Sequence, residues 1–228
     1  MPNETAPAHR HVAFAMRFIV EGQGGFTAVH GKRVHMQRGD VILTPTWNWH
    51  DHGKDGDGPM IWLDNLDLPL FRHFPVHFVE HFKEPRYPAE DVDSEESPIV
   101  FPWKGMKQTL DAKEGKWWRE RYLRRCGRDV SLTLGGAAER LDVGAESPAL
   151  RETTSAIYHI IEGQGYSTVG DVKIEWKRGD TFCLPSWMRY QHFNTSDETV
   201  YLYRCDDLPQ IRSLGFYRRE GEDIESYV

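Results

Sequence analysis

The feature that most constrains the fold is an internal repeat. Glu21-Gly22-Gln23-Gly24 recurs about 140 residues later as Glu162-Gly163-Gln164-Gly165. Two more turn-forming runs recur at a similar distance: Arg38-Gly39-Asp40 as Arg178-Gly179-Asp180, and Pro45-Thr46-Trp47 as Pro185-Ser186-Trp187. Because glycine and proline mark turns between strands, the same order of strands and turns is predicted twice. The chain is therefore expected to form two units of one design, the second beginning near Val130.

Histidines are concentrated in two segments of the first unit. His9 and His11 lie two residues apart in a predicted strand, so their side chains point to the same face. His50 comes from a strand further along the same unit and can complete a set of three imidazoles. Three ligands on one face leave three cis positions of an octahedral metal ion open. The sequence therefore predicts a metal site formed by His9, His11 and His50.

The second unit lacks these donors. Aligned through the repeat, Leu150, Glu152 and Tyr190 take the positions of His9, His11 and His50. Only Glu152 retains a possible metal ligand. The second unit is therefore predicted to keep the strand and turn pattern without a metal ion.

Six blocks of the first unit occur in the order found in a known family: Ala8-His9-Arg10-His11, Arg17 to Gly22, Arg38-Gly39-Asp40, Leu43-Thr44-Pro45, Trp49 to Gly53, and Trp62 to Pro69. They resemble the first cupin of the gentisate 1,2-dioxygenase group, which includes salicylate and 1-hydroxy-2-naphthoate dioxygenases. The resemblance extends to about Gly221 and implies a mainly all-β bicupin, with two double-stranded β-helix (jelly-roll) barrels and short helices. The family carries a long region ahead of its His-x-His segment, so the first barrel is expected to be truncated at its N terminus.

On this basis the chain is expected to have three parts. Residues 1–82 are predicted to be the first cupin, which is metal-binding and catalytic. Residues 83–128 are predicted to be a linker with a helix over 106–125, and residues 129–228 a second, metal-free cupin. The histidines at positions 73, 77 and 81 are spaced by four residues, which indicates one face of a helix over 71–82. A solvated or packed face is expected there rather than a second metal site.

The resemblance implies Fe(II) as the metal, since imidazoles alone also suit copper, zinc and nickel. It implies O2 and a small aromatic hydroxy acid as substrates. The expected activity is an extradiol-type ring-cleaving dioxygenase that opens gentisate (2,5-dihydroxybenzoate) between its carboxyl- and hydroxyl-bearing carbons and incorporates both oxygen atoms. Asp51 resembles the local pattern of gentisate enzymes. The alternatives are salicylate or 1-hydroxy-2-naphthoate as substrate, or a metal-binding cupin without catalytic activity.

Three further side chains are candidates for the catalytic pocket. Arg17 lies an even number of positions from His9 and His11, so an uninterrupted strand would direct all three side chains to the same cavity. Arg17 either binds a substrate carboxylate or forms an ion pair with Asp64. His52 shares parity with His50 and is either a packed histidine or a substrate ligand with a pKa near neutrality. Asp64 is either a loop-capping residue or an acceptor that orients a ligand or pocket histidine, as the resemblance also implies.

Composition narrows the remaining possibilities. The 228 residues are 39% hydrophobic and 12% aromatic, which is typical of a globular protein. A formal net charge of -7 gives no reason to expect nucleic acid or an anionic membrane as partner. Three cysteines without metal-type spacing, and the lack of a long apolar run, favour a cytoplasmic protein. The resemblance implies a homo-oligomer, a tetramer or a dimer.

Overall fold

The computed structural model describes residues 3–222 and is built mainly of β-strands. The chain divides into two compact units, one ending at Gly105 and one beginning at Met106. Each unit contains its own two sheets. Helix α1 (Trp103–Asp111) runs across the division.

The first unit contains ten strands. These are β1 (Thr5–His11), β2 (Ala15–Gly22), β3 (Gly25–Val29), β4 (Lys32–His35), β5 (Val41–Thr44), β6 (His50–Lys54), β7 (Met60–Leu66), β8 (Val79–His81), β9 (Glu90–Asp91) and β10 (Val100–Phe101), with a 3₁₀ helix at Leu68–Arg72. One sheet has the order β8-β1-β6-β3-β4-β9 and the other β10-β5-β2-β7. Neighbouring strands are antiparallel except β4 and β9, which run parallel.

Apolar side chains from both sheets meet in the core of the first unit. Full burial of one such side chain stabilises a fold by roughly 1.5–3 kcal/mol, so this contact fixes the spacing of the two sheets. That spacing in turn holds the strand that carries His9 and His11. The cluster consists of Ile19, Val34, Met36, Ile42 and Val100.

Up to residue 222, where the description ends, the second unit contains eight strands. These are β11 (Trp117–Arg121), β12 (Gly135–Leu141), β13 (Ala156–Glu162), β14 (Gln164–Val169), β15 (Val172–Lys177), β16 (Thr181–Leu184), β17 (Tyr190–Asn194) and β18 (Val200–Asp206), followed by helix α2 (Leu208–Ser213). The sheet orders are β11-β12-β18-β13-β16 and β15-β14-β17. Both units are thus the antiparallel two-sheet barrels that the sequence predicted.

Equivalent backbone contacts recur in the two units, as the repeat predicts. His9 pairs with His50 in the first unit, and Leu150 forms an isolated bridge with Tyr190 in the second. The amide of Trp47 donates to the carbonyl of His11 at 2.8 Å. The amide of Trp187 donates in the same way to Glu152, also at 2.8 Å. Both tryptophans have left-handed backbone, with φ of 62° and 60°, which is uncommon for residues other than glycine.

The two units differ at one sheet edge. In the second unit β18 lies between β12 and β13, and all seven of its residues are buried. Its equivalent in the first unit, β7, is the last strand of its sheet among residues 3–222. Only Asn65 of β7 is buried, and Ile61 and Asp64 are exposed. This edge lies next to Arg17, because β7 pairs with β2.

Two helix predictions are wrong in extent. Residues 71–82 do not form a helix: the 3₁₀ helix ends at Arg72, and β8 begins at Val79. The helix expected over 106–125 is the shorter α1, which ends at Asp111 and is followed by β11. Residues 84–98, which lie in the predicted linker, contain only the two-residue strand β9. Within residues 3–222 the helices are too short, or too polar, to cross a lipid bilayer.

Candidate metal centre and substrate pocket

Strand pairing brings the three predicted ligands together. His9 and His11 share one face of β1, and β1 pairs with β6 so that His9 lies opposite His50. Ring centroids are 4.3 Å apart for His9 and His50, 4.7 Å for His11 and His50, and 5.4 Å for His9 and His11. One ring nitrogen from each residue lies within 4.8 Å of the other two. Three nitrogens at this spacing can share a single metal ion.

Backbone carbonyls set the tautomer of all three rings. Nδ1 of His9 lies 2.7 Å from the oxygen of Pro7, Nδ1 of His11 lies 2.8 Å from that of Ala13, and Nδ1 of His50 lies 2.8 Å from that of Asn48. A carbonyl only accepts hydrogen bonds, so each Nδ1 carries the proton and donates it. Each Nε2 is then left with a lone pair. A metal-binding histidine usually donates its other ring N–H to an acceptor such as a backbone carbonyl.

The electrostatics also suit a metal ligand set. Burial lowers the pKa of His50 to about 3, and it lowers the pKa of His11 from its usual value of 6.5. Both rings are therefore neutral at pH 7, the form that binds metals. Nε2 of His50 is buried and has no hydrogen-bond partner among the residues that the structure describes. A divalent cation at the shared point would satisfy it, so these residues fit a metal site.

Arg17 lies beside this centre, in β2. Its side chain is only 3% exposed, and its Nε lies 2.7 Å from Oδ1 of Asp64. Nη1 donates to Oγ1 of Thr44, whereas Nη2 makes no hydrogen bond to a described residue. Burial lowers the pKa of Arg17, and the charge of Asp64 opposes that effect. The ion pair considered from the sequence is therefore formed, and one nitrogen of the guanidinium stays available.

Within residues 3–222, the side-chain partners of Asp64 are an arginine and a tryptophan. Its carboxylate is 38% exposed and pairs with Arg17, and it also accepts a hydrogen bond of 3.3 Å from Nε1 of Trp62. The expectation that Asp64 orients a histidine is not met, because its strand pairs with the strand of Arg17 and places the two side chains together.

His52 lies next to the triad but is more deeply buried than we expected. Its ring centroid is 5.5 Å from that of His50, and neither ring nitrogen has a hydrogen-bond partner in the described part of the chain. Burial, followed by the charge of Arg17, lowers the pKa of His52 well below 6.5. The expected pKa near neutrality is therefore corrected: His52 is neutral at pH 7. A neutral imidazole can donate from one nitrogen and accept at the other.

Asp51 faces away from the pocket. It lies between His50 and His52 on β6, so strand alternation directs it to the opposite face. Its buried carboxylate accepts the amide of Tyr87 at 3.0 Å and pairs with Nε of Arg86 at 3.0 Å. These contacts anchor a neighbouring loop on the side of β6 away from the rings of His50 and His52.

The equivalent region of the second unit is filled by protein side chains. Tyr190 donates to Glu152 at 3.1 Å, and Arg204 donates to both Tyr190 and Glu152 at 2.8 and 3.2 Å. Arg204 and Tyr158 occupy the repeat positions of Asp64 and Arg17. Side chains that could hold a metal in the first unit are thus replaced by a network of hydrogen bonds.

Two residues of the pocket region were not found from the sequence. Thr44, which binds Arg17, was noted only as part of a family block. The ring of His77 lies 6.2 Å from that of His11, although its spacing indicates a helix face. The signal for its true position was the proline at position 75, which argues against that helix.

Comparison with known proteins is consistent with this geometry. A family model described as "Cupin domain" matches residues 1–65 and 138–204. A gentisate 1,2-dioxygenase of Aquipseudomonas alcaligenes is 35% identical over 96% of this chain and 70% of its own length. A 1-hydroxy-2-naphthoate 1,2-dioxygenase of Nocardioides sp. strain KP7 is 31% identical over 98% of this chain and 65% of its own length.

A solved structure gives the same result. Salicylate 1,2-dioxygenase from Pseudaminobacter salicylatoxidans superposes with a TM-score of 0.86 and 29% identity, covering 96% of this chain and 72% of that one. The resemblance and the bicupin fold inferred from the sequence are confirmed. The chain therefore belongs to the cupin family and, within it, to the ring-cleaving 1,2-dioxygenases that include gentisate 1,2-dioxygenase.

Proposed function

We propose that this protein is an Fe(II)-dependent dioxygenase that opens the ring of gentisate between the carboxyl- and hydroxyl-bearing carbons. The observation that carries the proposal is the juxtaposition of three imidazoles, whose nitrogens lie close enough to share one point, with the buried Arg17. The imidazoles suit a divalent metal, and the guanidinium suits the carboxylate of an aromatic acid. His9, His11 and His50 hold the iron, which supplies the redox chemistry that allows O2 to react with the ring.

The remaining pocket residues bind and orient the acid. Arg17 donates from Nη2 to the substrate carboxylate, while Asp64 and Thr44 fix the guanidinium through Nε and Nη1. A charged donor in a buried setting binds an anion more strongly than a neutral one does. His52 is neutral and hydrogen-bonds the phenolic oxygen of the acid. Because Arg17 and His52 are both buried, their contacts with the acid are little weakened by solvent.

Gentisate is the proposed substrate, and salicylate and 1-hydroxy-2-naphthoate are the alternatives, because relatives named for each of these acids are similar to this chain. All three are hydroxy acids that one metal ion and one arginine can hold. The alternatives differ from gentisate in lacking its 5-hydroxyl group. A comparison of turnover among the three acids therefore identifies the substrate.

The test is oxygen uptake by anaerobically Fe(II)-loaded protein after mixing with each acid in turn. We expect stoichiometric uptake and a ring-opened product with gentisate, and neither with His50→Ala, which removes one of the three nitrogens. His73→Ala serves as a matched control, since this histidine is exposed and outside the triad. Oxygen uptake with salicylate alone would show that salicylate, and not gentisate, is the substrate. No uptake with any acid, despite one iron per chain, would indicate a metal-binding cupin without catalytic activity.

We also propose that the protein is a cytoplasmic homo-oligomer, a dimer or a tetramer. The exposed edge of β7, with exposed Ile61 and Leu68, supports self-association. Cys126, Cys183 and Cys205 form no disulfide, which suits a reducing compartment. Sedimentation equilibrium tests the first point: a monomer at micromolar concentration would contradict it.

A further inference from the structure

The segment between the 3₁₀ helix and β8 reverses the usual distribution of apolar and polar side chains. Phe74, Val76 and Phe78 are 54%, 51% and 62% exposed. His77, between the last two, is the only residue of 72–81 that is not exposed. Folding normally buries phenylalanine and valine and leaves an imidazole in water. Burial of apolar surface therefore does not explain why His77, rather than its apolar neighbours, lies inward.

Pairing with β1 holds this segment in place. The amide of Val12 donates to the carbonyl of Phe78 at 3.2 Å, and the amide of Phe82 donates to that of Ala8 at 2.9 Å. Within β8, Val79 lies opposite His11, and His81 lies opposite His9. His77 is thus fixed relative to the strand that carries two of the three metal-binding rings.

The contacts of His77 leave one polar atom without a partner. Its ring lies 6.2 Å from that of His11, inclined by 30°, and 4.9 Å from that of Phe71. Nε2 is buried and has no hydrogen-bond partner among residues 3–222. A buried nitrogen without a partner is unfavourable, and a bound molecule can satisfy it.

His77 also lies on a different side of the metal centre from His52. In the sheet, β1 has β6 on one side and β8 on the other. His52 is on β6, whereas His77 shortly precedes β8. A molecule held over the three rings can therefore contact an imidazole from each side.

We propose that His77 is a further substrate-binding residue, which hydrogen-bonds an oxygen substituent of the bound aromatic acid through Nε2. This inference rests on the proposed function and adds a residue to the same site. The substituent is the 5-hydroxyl group, which gentisate has and salicylate lacks. His77 then contributes to the choice between these two acids.

The experiment measures the anaerobic dissociation constants of gentisate and salicylate for the Fe(II)-loaded protein, together with iron content. His77→Phe keeps a ring but removes the nitrogen, and we expect about tenfold weaker gentisate binding with little change for salicylate. His77→Gln places an amide near the position of Nε2 and should restore most of the affinity. His77→Asn carries its amide too close to the backbone and should not.

His81→Phe is the matched control. The ring of His81 lies 6.2 Å from that of His9, the same separation as His77 from His11, but its side chain is exposed. We expect this variant to bind gentisate as the unaltered protein does. Iron content should stay at one per chain in all four variants.

The outcomes other than the expected one overturn either this inference or the proposed function. Equal gentisate affinity in the unaltered protein and in His77→Phe overturns the inference and leaves the proposed function intact. Loss of iron from His77→Phe also overturns it, since His77 would then support the metal site. If His77→Phe does not fold, equal affinity of the Gln and Asn variants overturns it. Failure of the unaltered, iron-loaded protein to bind any of the acids is a failure of the proposed function instead.

Discussion

At the scale of single residues, the backbone orients the rings of the three candidate metal ligands. The carbonyls of Pro7, Ala13 and Asn48 each accept one Nδ1–H, which leaves the Nε2 side of each ring as the one that could bind a metal ion. Each carbonyl belongs to a residue two positions from its histidine. Such local contacts need no distant part of the chain, and strand pairing has only to bring the rings together.

Arg17 is expected to determine affinity for the acid rather than for the metal. Arg17→Lys keeps the charge but loses the planar fork that holds Asp64 and Thr44 while another nitrogen contacts the substrate. We expect KM for gentisate to rise about 10- to 100-fold. Iron content, measured by a colorimetric chelator, should not change.

The control for this variant is Arg72→Lys, an exposed residue at the end of the 3₁₀ helix. It should leave KM unaltered. An unchanged KM in Arg17→Lys would show that the guanidinium serves only its ion pair with Asp64.

Parity along strands predicts that His9, His11 and His50 share one face, and the fold brings them together. The same reasoning offered Arg17 as one partner of Asp64 but could not choose between that ion pair and a histidine contact, since parity indicates the side of a sheet and not the contact. It also gave His52 a pKa near neutrality. The depth of burial that lowers this pKa depends on strands from distant parts of the unit.

At the scale of elements, the predicted helix over 71–82 shows how spacing can mislead. Histidines every four residues suggested a helical face, but Pro75 has no amide hydrogen and its ring clashes with the preceding turn of a helix. For α1, helical spacing ends earlier than we expected. Gly115 has φ of 92°, in the left-handed region, and β11 begins two positions later. Pro75 and Gly115 are both visible in the sequence, and each outweighs the helical periodicity around it.

The loop anchored by Asp51 provides a prediction at this scale. Asp51 is fully buried, whereas its partner Arg86 is partly exposed and packs over the ring of Phe26 at 4.5 Å. Asp51→Ala leaves the guanidinium of Arg86 and the amide of Tyr87 without their acceptor. We expect the free energy of unfolding to fall by roughly 2 kcal/mol, less than for a fully buried pair. Urea denaturation of the metal-free protein measures it.

Asp57→Ala, in an exposed turn, is the control for that experiment and should be close to neutral. Equal stability of Asp51→Ala and Asp57→Ala would show that the loop is held by contacts other than Asp51.

At the scale of the whole molecule, the two units share an order of strands and turns but differ in the side chains that point into each barrel. The first unit directs imidazoles into its barrel, whereas the second directs charged groups that neutralise one another. Arg119 lies 2.8 Å from Glu139, and Arg204 lies 2.9 Å from Asp206 and 3.2 Å from Glu152. The repeated turns predicted this common architecture. The ionic network could not be predicted, because it includes Arg119 from β11, a strand outside the repeated motifs.

The buried ionisable groups of the second unit predict how the free energy of unfolding changes with pH. Burial lowers the pKa of His192 to about 4, from 6.5 in the unfolded chain. Between these values the unfolded chain binds more protons, so stability falls as the pH is lowered from 6.5 to 4. Glu139 acts at lower pH: burial raises its pKa, but Arg119 and other cations outweigh burial and bring it to about 2. Its contribution is present above pH 4.5 and is lost as the pH falls toward 2.

His192→Asn isolates the first of these effects. Asparagine can keep the hydrogen bond that Nδ1 of His192 makes with Oγ of Ser167 at 2.7 Å, but it does not titrate. The variant should be less stable at pH 7, since it is smaller, yet it should lose up to about 3 kcal/mol less than the unaltered protein between pH 6.5 and 4. Urea unfolding of the metal-free proteins at several pH values measures the difference. The other buried histidines contribute equally to both proteins, so identical slopes would show that His192 is protonated equally in the folded and unfolded states, contrary to its burial.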